Sequence, residues 1–395
     1  MTGSLVFIDQ YAGLAGAERI LLSIATAPEI RQKWNVVFAL PENGWLTERL
    51  EAAGVRVVRF PGSALHYGRK DLGDVLKFAP GFVRQVVWFR RLFQETDAEL
   101  IYTSSPRYVL QAAWACLGLR TRVVYHVQCL YGGVVRRFVG LALRSHKVVS
   151  IVANSSVAEQ WARSLVPLTK HVACLPNWIC LEPDNGAREP VDRNLPSAID
   201  GESPFRFAVV GRLAGIKGQD RFLEAAQRLL TEGDDAEFYV VGDDHYFEPA
   251  YASALRSRYS AQPRVHFLGQ VEDMSTLYGR VSCVVVPSRE EAFGLVAIEA
   301  MYHGVPVIVS DIGELPTIVD QGESGIVVPC DNVEALVTAM RRVMFEPRLR
   351  HRLVANARRK VCAEYMREPG VARVRAFLEA LSSGTEPDNA ARGGE

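Results

Sequence analysis

Short apolar, β-branched runs, each followed by a stretch of helix length, recur twelve times along this chain and fall into two series. The first comprises Leu5–Ile8, Val36–Leu40, Val55–Val58, Leu100–Thr103, Val123–His126 and Val149–Val152. The second comprises Phe205–Val210, Phe238–Val241, Val265–Leu268, Cys283–Val286, Val305–Val309 and Gly325–Val328. Continuous apolar strands separated by helices indicate parallel sheets covered on both faces, so the predicted class is α/β with two doubly wound sheets. Residues 181–204, rich in Pro, Asp, Asn, Gly and Ser and without periodicity, read as a linker between a domain at 1–180 and a domain at 205–368. Open α/β sheets bind ligands at the carboxyl ends of their strands, and two such domains are expected to face each other across a cleft. Beyond Asp331 the pattern predicts helices at Val333–Phe345, Pro347–Met366 and Pro369–Leu381, the last set off by a break at Pro369-Gly370. Residues 383–395 have too little apolar surface to order.

A net charge of zero conceals an asymmetry: residues 1–180 hold 21 Lys and Arg against 12 Asp and Glu. Within 100–170 there are nine basic residues and a single acid, Glu159, which suits an anionic partner or membrane surface and equally a solvated basic face. Phe78–Phe93 and Tyr131–Lys147 are basic, apolar helical stretches that fit either an anionic membrane or their own domain core. The seven cysteines form no Cys-x-x-Cys pair and no zinc spacing, and they read as reduced core residues of a cytoplasmic protein. Neither a signal peptide nor a run of eighteen apolar residues is present, so no membrane span is expected.

Chemistry concentrates where strands give way to helices. Glu291-Ala-Phe293-Gly294-Leu295-Val-Ala-Ile-Glu299 places two carboxylates around a glycine at a helix entrance. The amides of Gly294 and Leu295 would be first-turn donors for an anion, Glu299 would accept from ribose hydroxyls, and Glu291 would lie nearer a sugar. The plain alternative is an amphipathic helix with a solvated Glu at each end. Gly211-Arg212-Leu-Ala-Gly-Ile-Lys217-Gly218 ends a strand with two cations that could clamp a diphosphate, although it lacks the Gly-Lys-Ser/Thr ending of a P-loop. Gly242 and Gly269 close later strands of the same domain in the same way. In the first domain, Gly13-Leu-Ala-Gly16-Ala-Glu-Arg opens a helix without forming a dinucleotide fingerprint. His126 ends a strand, where it could bind a sugar hydroxyl or be a satisfied, partly buried histidine.

Together these motifs resemble the family 4 retaining glycosyltransferases of GT-B architecture, two Rossmann-like domains joined by a linker. The likeness runs from Gly16-Ala-Glu-Arg through Asp97–Tyr102, His126, Asn154-Ser155, Gly211-Arg-Leu, Lys217-Gly218, Val265–Gly269, Pro287-Ser288 and the glutamate pair to Gly304-Val-Pro306. It implies that Arg212 and Lys217 bind the donor diphosphate and that Glu299 holds the ribose. Glu291, with the backbone following it through Phe293, Gly294 and Leu295, holds the sugar, and His126 lies beside the reacting carbon. Gly16, Gly211, Gly242 and Gly269 line the substrate site, and the last helix, 369–382, returns to the first domain. Two departures stand out: Ala15-Gly16 replaces the family's Gly-Gly, and Pro176-Asn177-Trp178-Ile179-Cys180 replaces Pro-Asn-Gly-hydrophobic-Asp.

The expected activity is transfer of a hexose, with retention, from a nucleotide diphosphate sugar of UDP, GDP or ADP. The acceptor is a hydroxyl of a lipid-linked or glycan molecule, in bacterial surface-polysaccharide or lipopolysaccharide assembly. No cofactor is expected, and without an Asp-x-Asp motif no required metal; nucleic acid is not an expected partner. Location is expected to be cytoplasmic, with peripheral membrane contact. A nucleotide-sugar 2-epimerase and a non-catalytic partner subunit of the same fold are the alternatives, and a dinucleotide oxidoreductase is weaker than either.

Overall fold

The computed structural model describes residues 3–62, 72–180, 204–243, 248–271 and 273–385, with side chains left out for 72–80. It divides into two compact units, one formed by Met1–Cys180 with Arg367–Glu395 and the other by Leu181–Met366. Most of the expected linker, 181–203, lies outside the described residues, as does the tail from 386 onward.

Among its described residues the first unit has seven strands, β1 (Ser4–Ile8), β2 (Asn35–Leu40), β3 (Arg56–Arg59), β4 (Ala98–Thr103), β5 (Arg122–Val127), β6 (Val148–Ala153) and β7 (His171–Cys174). Their order is β3-β2-β1-β4-β5-β6-β7, all parallel. The second unit contains β8 (Phe205–Val210), β9 (Ala236–Val241), β10 (Val265–Gly269), β11 (Cys283–Val286), β12 (Val307–Ser310) and β13 (Ile326–Val328), ordered β10-β9-β8-β11-β12-β13 and again parallel. Each sheet therefore reverses direction once, between β1 and β4 and between β8 and β11, and a doubly wound sheet binds its ligand outside the carboxyl ends at that reversal. Central strands are buried along their whole length, whereas edge strand β3 carries exposed arginines at both ends, which discourages pairing with another sheet.

Three sequence readings need correction. The seventh strand of the first unit, His171–Cys174, was not among the expected strands, being four residues long and opening on a histidine. Pro369-Gly370 does not break the last helix, which runs from Arg367 to Ser383. Proline in a first turn loses only an amide that has no helical partner there. Of the cysteines expected in the core, Cys116 and Cys283 are buried, but Cys129 and Cys362 are exposed.

Gly370 lies where it does because Trp178 packs against it: a methyl group there would overlap the indole ring. Trp178 is 1% exposed, and its Nε1 donates to Ser23 Oγ at 3.0 Å, which also accepts from Arg367 Nε at 3.1 Å. The tryptophan that replaces the expected glycine thus fastens the returning helix to Gly16–Ala25, the helix after β1.

Candidate active site

In the second unit the chain leaves β8 at Gly211, makes a 3₁₀ turn at Gly215–Lys217 and enters the helix Gln219–Thr231. Gly218 joins turn to helix at φ +70°, and a side chain there would be driven into the carbonyl of Pro287, which begins the loop after β11. Only glycine meets both demands. Backbone bonds tie the two loops, from the Arg289 amide to Ile216 O at 2.7 Å and from the Glu290 amide to the same oxygen at 3.3 Å. The Glu291 backbone is flanked in turn by Gly313, at φ +60°, where a Cβ would overlap the Glu291 carbonyl.

These constraints bring together two of the residues expected to hold the donor. Lys217 Nζ lies 2.7 Å from Glu291 Oε2, and Ser288 Oγ donates to the same oxygen at 3.3 Å. They lie in the loops that follow β8 and β11, the strands on either side of the sheet's reversal. Arg212, on the same turn, is exposed. The helix Leu295–Tyr302 starts just beyond Glu291, with Gly294 as its cap, so the amides of Leu295 and Val296 fall in a first turn that offers them no carbonyl. Glu299 is more than a turn further on, and Tyr278 donates to its Oε2 at 3.0 Å. Tyr278 is itself buried and stacks on His303 with ring centroids 5.1 Å apart. Gly211, Gly242 and Gly269 stand side by side at the ends of β8, β9 and β10. The Gly211 amide bonds Val241 O at 2.9 Å and the Gly242 amide bonds Gly269 O at 2.7 Å.

The resemblance gives Phe293 a role through its backbone. Its side chain is 3% exposed and packs edge-on against Tyr365, leaving its backbone as the part that can meet a ligand.

What bolts the two loops together is not legible from the residues around either of them. Arg289 makes a bidentate pair with Asp220, both N···O distances being 2.8 Å, bonds Gly215 O at 2.6 Å and reaches Asp331 at 2.8 Å. Burial alone would raise the Asp220 pKa, but hydrogen bonds from Arg289 and Tyr251 outweigh it and hold the carboxyl below its ordinary value of 3.8. The Arg289 hydrogen bond does the same for Asp331. A lowered carboxylate pKa stabilises the fold fully above 3.8, and that contribution disappears as pH falls through the lower native value. Urea midpoints recorded between about pH 5 and pH 2 should therefore fall with acidification, and less steeply in Arg289→Gln than in the wild type.

The first unit has a polar cluster of its own at the carboxyl ends of β1, β4, β5 and β6. Asp9, 2% exposed, accepts from Ser104 and from the amides of Gln10 at 2.6 Å and Tyr11 at 3.1 Å. Burial raises its pKa against the pull of those bonds. Gly16 opens the helix that follows, after a cap residue, Ala15, that makes no side-chain bond. His126 is 1% exposed and touches Tyr102 Oη through Nδ1 at 2.8 Å. Burial pushes its pKa down to about 3, so the imidazole is neutral at physiological pH. Gln128 lies against it, and Asn154 and Asn177 in turn bond Gln128; sequence reasoning gave these three no part in the site, although all lie in or beside the quoted motifs. Among the described residues no group of His, Cys, Asp and Glu converges as a metal site.

Comparison with known proteins locates the likeness. Residues 196–360 match the family described as glycosyl transferases group 1. LpcC, a lipopolysaccharide core biosynthesis mannosyltransferase of Rhizobium leguminosarum bv. viciae, is 33% identical over 174 residues, which are 43% of this chain and 49% of that protein. The chain thus spans less than half the length of this curated relative. Among solved structures, HepE of Anabaena, crystallised with UDP and glucose, is 21% identical, with 96% of this chain and 100% of that one covered at a TM-score of 0.77. A glycosyltransferase of Rickettsia africae ESF-5 is 17% identical, covering 96% and 99% at a TM-score of 0.74. The fold is therefore that of two Rossmann-like, GT-B-type domains, and its second unit, from the Gly211 turn through Glu299, carries the sequence pattern of the glycosyl transferases group 1 family.

Proposed function

We propose that this chain is a retaining glycosyltransferase that moves a hexose from a nucleotide diphosphate sugar to a hydroxyl of a lipid-linked or glycan acceptor. The observation that carries the reading is the Lys217–Glu291 pair set beside the entrance of the helix Leu295–Tyr302, inside the segment that matches the family. Lys217, Arg212 and the first-turn amides meet the diphosphate, neutralising the charge that grows on it as the glycosidic bond breaks. Glu299, one oxygen held by Tyr278, turns the other toward the ribose, while Glu291 accepts from sugar hydroxyls. His126 hydrogen-bonds a sugar hydroxyl. No carboxylate is assigned as a covalent nucleophile. The acceptor attacks from the face the phosphate leaves, and the leaving phosphate takes the acceptor proton. Protein cations supply the positive charge, so chelation with EDTA should leave the rate unchanged.

HepE, solved with UDP and glucose, and LpcC, which acts in lipopolysaccharide core synthesis, support a nucleotide-sugar donor and a surface-polysaccharide setting, which we place on the cytoplasmic side. The deciding experiment is a thermal-shift panel of UDP, GDP and ADP sugars. One donor at a hundred times its Kd should stabilise the protein by about 2.7 kcal/mol. Failure of every donor to shift the transition removes the reading. Product formed without acceptor would favour a 2-epimerase.

Peripheral membrane contact belongs to the same proposal. Val83, Trp114, Val134 and Leu141 are 61%, 53%, 80% and 63% exposed on the first unit, with Arg84, Arg136, Arg137 and Arg144 exposed beside them. Apolar anchors among arginines suit an anionic bilayer. No helix among the described residues is long and apolar enough to cross one. The protein should sediment with vesicles containing phosphatidylglycerol and not with pure phosphatidylcholine, and Val134→Asp combined with Leu141→Asp should release it.

A further inference from the structure

Lys217 and Glu291 both stand on loops that the core does not hold. No residue of the Gly215–Lys217 turn is buried, and Arg289, Glu290, Glu291 and Ala292 are all at least partly exposed. The position of each charge therefore depends on polar ties, and Arg289 supplies a set of them. A guanidinium has five N–H donors in a fixed plane. In Arg289, Nε lies 2.8 Å from Asp331 Oδ1, while Nη1 lies 2.6 Å from Gly215 O and 2.8 Å from Asp220 Oδ1. Nη2 lies 2.8 Å from both Asp220 Oδ2 and Asp331 Oδ1. Five contacts occupy five donors, so Arg289 has none to offer an incoming phosphate, although it stands two positions from Glu291. Two carboxylates also offset its charge.

Asp220 is the fixed end of the bidentate pair. It lies in the first turn of Gln219–Thr231, a helix that buries Phe222, Leu223 and Leu229 among others. Tyr251 Oη donates to Asp220 Oδ1 at 2.9 Å and accepts from the Asp220 amide at 3.1 Å. A planar fork gripped at both teeth is fixed in rotation as well as in position. From there Nη1 reaches Gly215 O and the Arg289 amide reaches Ile216 O, the carbonyls of the two residues just ahead of Lys217. The core sets Asp220, Asp220 sets Arg289, and Arg289 holds the turn that carries Lys217 against the loop that carries Glu291.

We infer that Arg289, braced by Asp220 and Asp331, is a positioning residue that keeps Lys217 Nζ and Glu291 Oε2 at their 2.7 Å spacing, and is not a further cation for the diphosphate. The positioning follows from contacts within the second unit, while its effect on rate rests on the transferase reading above.

The test uses the full chain. Arg289→Gln should lower kcat by at least about tenfold, since a misplacement of about 1 Å can cost a hundredfold. In the Lys217→Ala background the same change should leave affinity for the bare nucleoside diphosphate within about threefold, because no phosphate contact is removed with it. A larger loss of affinity there would make Arg289 a phosphate ligand and overturn the inference, as would an unchanged kcat in Arg289→Gln alone. Should Arg289→Gln lose its circular dichroism, Asp220→Asn takes its place with the same expectations. A readout without turnover comes from ¹⁵N-lysine labelling, Lys217 being identified among seven lysines by the loss of its signal in Lys217→Ala. Its ammonium hydrogens should exchange slowly in the wild type, and as fast in Arg289→Gln as in Glu291→Ala, where the carboxylate is gone. Exchange in Arg289→Gln as slow as in the wild type overturns the inference. If no donor binds and nothing is transferred, the transferase reading falls, while the Lys217 signal still decides whether Arg289 holds the pair.

Discussion

Replacing Glu291 or Lys217 with alanine is expected to lower glycosyl transfer by about 10²–10³-fold each, in the range seen when one preorganised transition-state contact is removed. Stability should change far less. The pair is partly exposed, with side chains 27% and 14% accessible, and partly exposed ion pairs contribute no more than about 1 kcal/mol. The pairing makes the two variants different in kind. In Lys217→Ala the diphosphate loses a cation, so donor affinity and rate both fall. In Glu291→Ala the cation remains but is no longer drawn to one position, and the sugar loses its acceptor, so nucleotide alone should still bind. Isothermal titration with the bare nucleoside diphosphate, set beside steady-state transfer, separates these outcomes. Wild-type transfer rates in either variant would remove both residues from the proposed machinery.

Trp178→Ala should lower the stability of the first unit by about 3–5 kcal/mol, the usual cost of truncating a buried tryptophan. The indole fills the space over Gly370 and bonds Ser23, so its removal opens a cavity at the seam of two helices. The second unit contains neither partner and should keep its own transition. Differential scanning calorimetry resolves the two: a lowered first transition with an unmoved second is expected, and a uniform shift of both would show that the seam is not where the stability resides.

Much of this molecule could be read from its residues because parallel strands buried on both faces appear as uninterrupted apolar runs, and twelve of the thirteen described strands lie within two residues of such a run; β7 has none, and β12 starts two residues late. His171–Cys174 is short and begins with a polar residue, and Val305-Pro306 proved to be approach rather than strand. The loops at strand ends were legible for a related reason: glycines and charges crowd into a few positions after each run. What stayed hidden is pairing at long range. Nothing local to Arg289 announces Asp220, 69 residues away, and nothing local to Gln128 announces Asn177, 49 residues away. Burial was hidden too. The sequence left His126 open to a ligand or to the interior, and the structure buries it.

The returning helix has a consequence for how the protein is made. The first unit is assembled from both ends of the chain, so a ribosome that has finished residue 180 has not yet supplied the surface that covers Trp178. At about 5–20 residues per second, the stretch up to Arg367 takes roughly ten to forty seconds. The second unit, contiguous in sequence, is free to fold in that interval. The N-terminal half is the first to be synthesised and the last to be completed, and during that wait it is the part of the nascent protein with most reason to engage a chaperone.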